Sequence, residues 1–216
     1  MKRACWAWIV VAACRTAQPE GNPQDGEAIV SDVGRSKEQL SCNHCHATRV
    51  EVTAGLISPA PPWPGTLRRP HFKGDPSLTD PLEASARCAE RYQDRPLTAR
   101  EQVALRTFLE REGPALPGQP AVYDVRPYTV AEIRAVVDQP GDGGRGKELW
   151  ERACTRCHSD GPGYGKDVIS SSARGEIAAR IMQGPGPGQK GMPAFVRSQL
   201  SVDDIADLLQ HLEEGF

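Results

Sequence analysis

Cys42-Asn43-His44-Cys45-His46 and Cys154-Thr155-Arg156-Cys157-His158 repeat one pattern, two thiols three positions apart followed at once by an imidazole. Thiols at this spacing can form thioethers with both vinyl groups of one porphyrin while the adjoining imidazole meets the iron, so each pentad reads as a covalent c-type haem attachment site. The expectation is two covalently bound haem c groups, attached through Cys42, Cys45, Cys154 and Cys157, with His46 and His158 as proximal ligands. A zinc site built from two Cys-x-x-Cys knuckles keeps them roughly 15–20 residues apart. Here more than a hundred residues separate Cys45 from Cys154, and the two histidines would have no role. A dithiol redox motif would need a βαβ setting, and neither pentad follows a β-branched run.

A sixth ligand for each iron must come from elsewhere in the chain. Met192 lies 34 residues beyond His158 on a Gly/Pro-rich loop, directly before the last apolar run, and is the expected distal ligand of the second site. Met182 stands inside a helical apolar run and reads as core packing, and His211 reads as a surface histidine. The first half contains no methionine after the leader. Aligning Leu97 with Leu200 drops Met192 onto Ala89, beside Cys88, which is therefore the expected distal ligand of the first site. His71, 25 residues past His46, is the rival, and a buried thiol with no ligand role is the third possibility. Arg87, Arg91 and Arg95 flank Cys88 and would lower its pKa, unless they simply form a solvated basic face. A carbonyl that orients a ligating imidazole is expected too, with Pro162 as a source for His158.

The elements that must position these groups read as helices. GKELWERACTRCH from Gly146 carries Leu149, Trp150 and Ala153 at helical spacing and delivers its pentad at the helix end. A second helix runs around Ile177, Ala178 and Ile181. Ser201 caps a third that presents Ile205, Leu208, Leu209 and Leu212 on one face, and Gly146 opposite Leu208 or Leu209 would let two helices cross closely. Thr129 caps a short helix through Val136. In the first half, Leu97-Thr98 opens a helix reaching Leu105 and Leu109, and Gly34 precedes Cys42 by the same eight residues as Gly146 precedes Cys154. The middle does not repeat: residues 57–70 are proline-rich, and no aromatic stands near Glu38 where Trp150 has its counterpart.

This order, with Trp150 on the entry helix and Gly191-Met192-Pro193 before the C-terminal helix, resembles a class I cytochrome c domain over residues 141–216. The resemblance implies an all-α chain of two cytochrome c-like domains, the first divergent. Its boundaries are a leader at 1–13, a tether at 14–30, a domain at 31–113, a linker at 114–140 and a domain at 141–216. Ala86 to Tyr92 followed by Pro96-Leu97-Thr98 is similar to segments of dihaem cytochromes of sulfur-compound oxidation. That likeness implies His/Cys ligation at the first haem. The expected function is a one-electron carrier between redox proteins. The alternatives are a sulfur-compound oxidoreductase of the thiosulfate dehydrogenase kind reacting at Cys88, and a haem-based redox or ligand sensor.

Met1-Lys2-Arg3 followed by the apolar run Ala4 to Ala13 has the form of an export signal, too short for a membrane span. Val11-Ala12-Ala13-Cys14 resembles a bacterial lipoprotein box, which implies lipidation at Cys14 and a periplasmic or outer-envelope location. Of seven cysteines, Cys88 alone is then left without an assigned task by the pentads, the leader or the lipid. A formal charge of -2 is too mild to imply a nucleic-acid partner. The low aromatic share of 6% fits cores that a bound haem helps to fill.

Overall fold

The computed structural model describes residues 21–35, 40–72, 75–93, 95–120, 122–126, 128–158, 173–184 and 192–215. The expected leader at 1–13, Cys14 and Pro162 lie outside these residues. Among the described residues every regular element is helical, and the extended pairing is a single isolated bridge between Phe72 and Asp75. The helices are α1 (Pro23–Ser31), α2 (Cys42–Cys45), α3 (Arg49–Thr53), α4 (Pro81–Tyr92), α5 (Ala99–Glu112), α6 (Val130–Asp138), α7 (Gly143–Ala153), α8 (Thr155–His158), α9 (Arg174–Gln183) and α10 (Val202–Glu214). None of them is long and apolar enough to cross a membrane.

Local sequence explains most helix starts. Thr98 with Glu101, Thr129 with Glu132 and Ser201 with Asp204 form reciprocal capping boxes at α5, α6 and α10, each satisfying two otherwise orphaned backbone donors. Asp142 caps α7 by accepting from the amides of Gly144 and Arg145. On α10, Ile205, Leu208, Leu209 and Leu212 are buried on one face, each contributing about 1.5–3 kcal/mol of apolar burial.

Two apolar clusters result. In the second half α7 packs across α10, and Leu149, Trp150, Ala178, Ile181, Met182 and Phe195 gather around the α10 leucines. The crossing is as close as the sequence implies: a Cβ on Gly146 would collide with the Asp207 carbonyl and reach 2.8 Å from His211 Cβ. His211 is consequently buried beneath this crossing and is not the surface residue expected. Burial lowers its pKa, and Lys147 adds to the effect. Helix α6 packs on α9 and α10, with Val136 fully buried in the same cluster.

In the first half α1 crosses α5 over Val30, Leu105, Phe108 and Leu109. Here Gly26 makes the close approach, because a Cβ there would meet the Ala104 carbonyl and come within 2.5 Å of Phe108 Cβ. Gly34, expected in that role, sits instead in a short 3-10 turn (Val33–Arg35) and would meet only the Asp32 carboxylate. The helix-crossing glycine thus precedes its pentad by sixteen residues in the first half and by eight in the second.

Candidate haem-binding sites

The first pentad forms α2. Ser41 caps it, donating its amide to His44 Nδ1 at 3.0 Å. His46 follows directly, and its ring is fixed from two sides. Its Nδ1 donates to the Pro61 carbonyl at 2.6 Å. A carbonyl only accepts, so Nδ1 carries the hydrogen and Nε2 is left with its lone pair for a metal. Across the ring face lies Trp63, stacked at 4.3 Å and 26°, itself held edge-on by Phe108 at 5.8 Å and 89°. The indole N–H donates to Asn43 Oδ1 at 2.8 Å.

These contacts come from the proline-rich segment that had no counterpart in the second half. Between Pro59 and Pro64 only Ala60 and Trp63 have amide hydrogens, and both are spent on the pentad and the residue after it: Ala60 donates to the Cys45 carbonyl and Trp63 to the Ala47 carbonyl, each at 2.9 Å. The proline carbonyls are used as fully. Pro61 takes His46, Pro62 and Pro64 take Arg69, and Pro59 takes the Val196 amide at 3.1 Å. Arg69 is half-buried with its guanidinium over the Tyr123 ring, and desolvation lowers its pKa to about 10. The aromatic missing near Glu38 is therefore supplied by Trp63, from a loop and not from the entry helix. A lone Trp among four prolines (Pro59, Pro61, Pro62 and Pro64) shortly after a pentad was the available signal.

The second pentad ends α7 and forms α8, and Trp150 lies 5.7 Å from the His158 ring at 32°. Cys154, Cys157, His158 and Met192 line one cleft, together with Ala153, Pro193 and Phe195. Met182 is fully buried in the cluster behind it. Arg156 lines it too, and His44, Ile57, Ser58 and Pro59 from the first half complete the cleft walls. Two thiols, an imidazole and a thioether facing a largely apolar slot are the donor set and surroundings that a covalently attached haem requires, so the residues fit the group. In the apolar setting the thiols stay protonated, with Cys154 pushed up to about 12 by burial and Cys157 raised for the same reason.

The two pentads are neighbours. The Arg156 guanidinium, inside the second, donates to the Asn43 carbonyl inside the first and pairs with the Glu51 carboxylate on α3. Burial raises the Cys45 thiol above the ordinary range, and Cys88, Cys157 and Cys42 add to the rise, so Cys45 lies within electrostatic reach of all three. Cys88 stands on α4 and is half-buried, and His71 is half-buried just ahead of the Phe72 bridge. The three arginines near Cys88 are engaged elsewhere: Arg87 pairs with Glu83 at 2.6 Å, Arg95 with Glu101 at 2.8 Å, and Arg91 lies over the Tyr92 ring. Their placement is that of a solvated basic face.

Residues 141–212 match the family described as cytochrome c oxidase, cbb3-type, subunit III. The cytochrome bc1 complex cytochrome c subunit of Corynebacterium diphtheriae is 25% identical over 226 residues, an alignment covering 96% of this chain and 74% of that protein. No solved structure matches. A c-type domain implies covalently bound haem c. The segment from Gly141 to Leu212, with its pentad and its methionine facing one cleft, is a cytochrome c-type domain.

Proposed function

We propose that this chain is an extracytoplasmic electron carrier with two covalently bound haem c groups, one on each pentad, working between redox partner proteins. The observation that carries the reading is the cleft that collects Cys154, Cys157, His158 and Met192, taken with the first pentad, whose His46 is already oriented. Similarity to a cytochrome c subunit of a bc1 complex supports the same role. Haem held at these positions supplies an iron that exchanges one electron. The chain's own residues then do three things. Pro61 and Trp63 hold the His46 imidazole in one tautomer and orientation, which limits rearrangement when charge changes. Met192 offers an uncharged thioether, which favours the reduced state. Ile57, Pro59 and Phe195 give the second site its apolar walls. No acid or base is needed.

In the first site we assign Cys88 as the distal ligand, which α4 brings within electrostatic reach of Cys45. An anionic thiolate favours ferric iron, so the two sites would differ widely in potential within the range of about 0.8 V that axial ligands span. Export and anchoring through lipid on Cys14 complete the proposal, since two or more acyl chains hold a protein at a membrane. Expression with c-type maturation is expected to give two haems per chain, with Cys14→Ser releasing the protein from membranes. Electron paramagnetic resonance of the oxidised protein should show two low-spin species, one of which changes in Cys88→Ala. One haem per chain would refute the function, and an unchanged spectrum in Cys88→Ala would transfer the ligand role to His71.

A further inference from the structure

Arg156 occupies a variable position of its pentad, yet its hydrogen bonds leave the second half. They run to the backbone carbonyl of Asn43 and to Glu51 Oε1. Both acceptors are held in place. Asn43 uses its remaining groups as well, its Oδ1 accepting from Trp63 Nε1 at 2.8 Å and its Nδ2 donating to Ser31 at 3.0 Å. Glu51 turns its other oxygen to the Thr48 amide at 2.7 Å and the Thr48 hydroxyl at 2.9 Å, closing the α3 cap. The guanidinium is therefore seated on a rigid receptor, with 22% of its side chain exposed against 33% for Glu51. Three further hydrogen bonds stitch the same seam: Ile57 N to Arg152 O at 3.0 Å, Arg152 Nε to Gly55 O at 2.8 Å, and Val196 N to Pro59 O. Two of these join backbone to backbone, and the third uses the guanidinium of Arg152, a second cation at the seam. What Arg156 adds is a cation that stands inside one Cys-x-x-Cys-His pentad and is bonded directly to the other.

We propose that Arg156 is a positioning residue for electron exchange between the two haem sites, fixing their separation by clamping the second pentad onto Asn43 and Glu51 and setting both potentials with the charge it places between them. The inference rests on the two-haem reading. The exchange it serves is the loss of one electron by ferrous iron at one pentad and its gain by ferric iron at the other. The total charge of the pair is unchanged, and no proton moves. A fixed cation favours the reduced state of both sites, whereas the Glu51 carboxylate offsets part of that effect, so the two partners should act with opposite signs.

The test uses the full chain with both haems bound, comparing Arg156→Gln, Arg156→Lys and Glu51→Gln. Haem content is measured first, and a wild-type chain with one haem ends the underlying reading before any variant is considered. With two haems present, Arg156→Gln should lower both midpoint potentials, Glu51→Gln should raise both, and each should weaken the paired circular dichroism bands that neighbouring haems produce in the Soret region. Arg156→Lys keeps the charge but cannot span both acceptors, so its potentials should stay near wild type while the paired bands weaken. Equilibration between the sites after a one-electron pulse should slow by roughly tenfold in Arg156→Gln, within the range that substitutions in a coupling network produce. Should Arg156→Gln fail to fold, the sign of the Glu51→Gln shift and the split behaviour of Arg156→Lys decide the matter. Two haems with unchanged potentials and unchanged Soret bands in the folded variants would overturn the role of Arg156 while leaving the two-haem function standing.

Discussion

Trp63 offers the sharpest test of how the first site is built. The side chain is 4% exposed, stacks on His46, receives Phe108 edge-on and donates its indole hydrogen to Asn43. Trp63→Ala removes all of these and leaves a cavity among Val30, Leu105 and Phe108, a change that costs about 3–5 kcal/mol in tightly packed cores. Trp63→Phe keeps a ring against both neighbours and loses the hydrogen bond to Asn43, so about 1–2 kcal/mol is expected. The gap between the two variants, about 2–3 kcal/mol, measures what the ring itself contributes. Urea unfolding followed by far-ultraviolet circular dichroism reads the difference, provided the denaturant slope is unchanged. Equal costs for alanine and phenylalanine, or a loss below about 1 kcal/mol for alanine, would show that the indole is not what braces the imidazole.

Gly146→Ala should lower the melting temperature even though alanine is the better helix former by about 1 kcal/mol, because the new Cβ runs into the Asp207 carbonyl and α7 must lift off α10 at a cost of about 1–3 kcal/mol. A rise in melting temperature would contradict the crossing. The Arg197 guanidinium grips Glu132 at 2.6 and 2.7 Å while lying over the Tyr128 ring, and this contact holds the Glu132 carboxyl well below the usual carboxylate range. Its folded pKa is depressed, so the stability it adds is complete above its ordinary value of 4.5 and is lost as pH falls toward the folded value. Wild type should therefore exceed Glu132→Gln in stability at neutral pH, with the difference narrowing in acid, and a difference independent of pH would refute the pairing.

What could be read in the residues is what depends on near neighbours. The capping boxes at Thr98, Thr129 and Ser201 are local signals and formed as such. Leu149, Trp150 and the α10 leucines announce their faces by spacing alone, and Gly146 announces a close crossing because it stands opposite the apolar face of α10. The separation of Met182 from Met192 followed from an apolar helix on one side and a glycine- and proline-rich loop on the other. Contacts made across long stretches of chain left no such trace. Gly26 looks no different from Gly34 until α5 is laid against it. His211 has a polar look on an amphipathic helix and is buried only because Gly146 lets α7 descend onto it. Arg156 reads as an ordinary solvent-facing arginine, and the partners that give it meaning lie 105 and 113 residues away. The proline-rich segment was legible as irregular, but an accounting of its donors was needed to see that it is a fully bonded wall.

That wall has a consequence in the unfolded chain. Four of the six residues from Pro59 to Pro64 have their φ angle fixed before folding begins, and each such proline spares roughly 0.4–1 kcal/mol of backbone ordering where its native conformation suits it. The carbonyl that meets His46 is carried on a stretch with little freedom to lose. A flexible loop of the same length could make the same hydrogen bond, but it would sample many carbonyl orientations, and the imidazole with it. In this half of the molecule the orientation of the His46 imidazole is thus a property of chain stiffness, and replacing Pro61 and Pro62 together by alanine would leave every acceptor in the sequence while loosening the ring they orient.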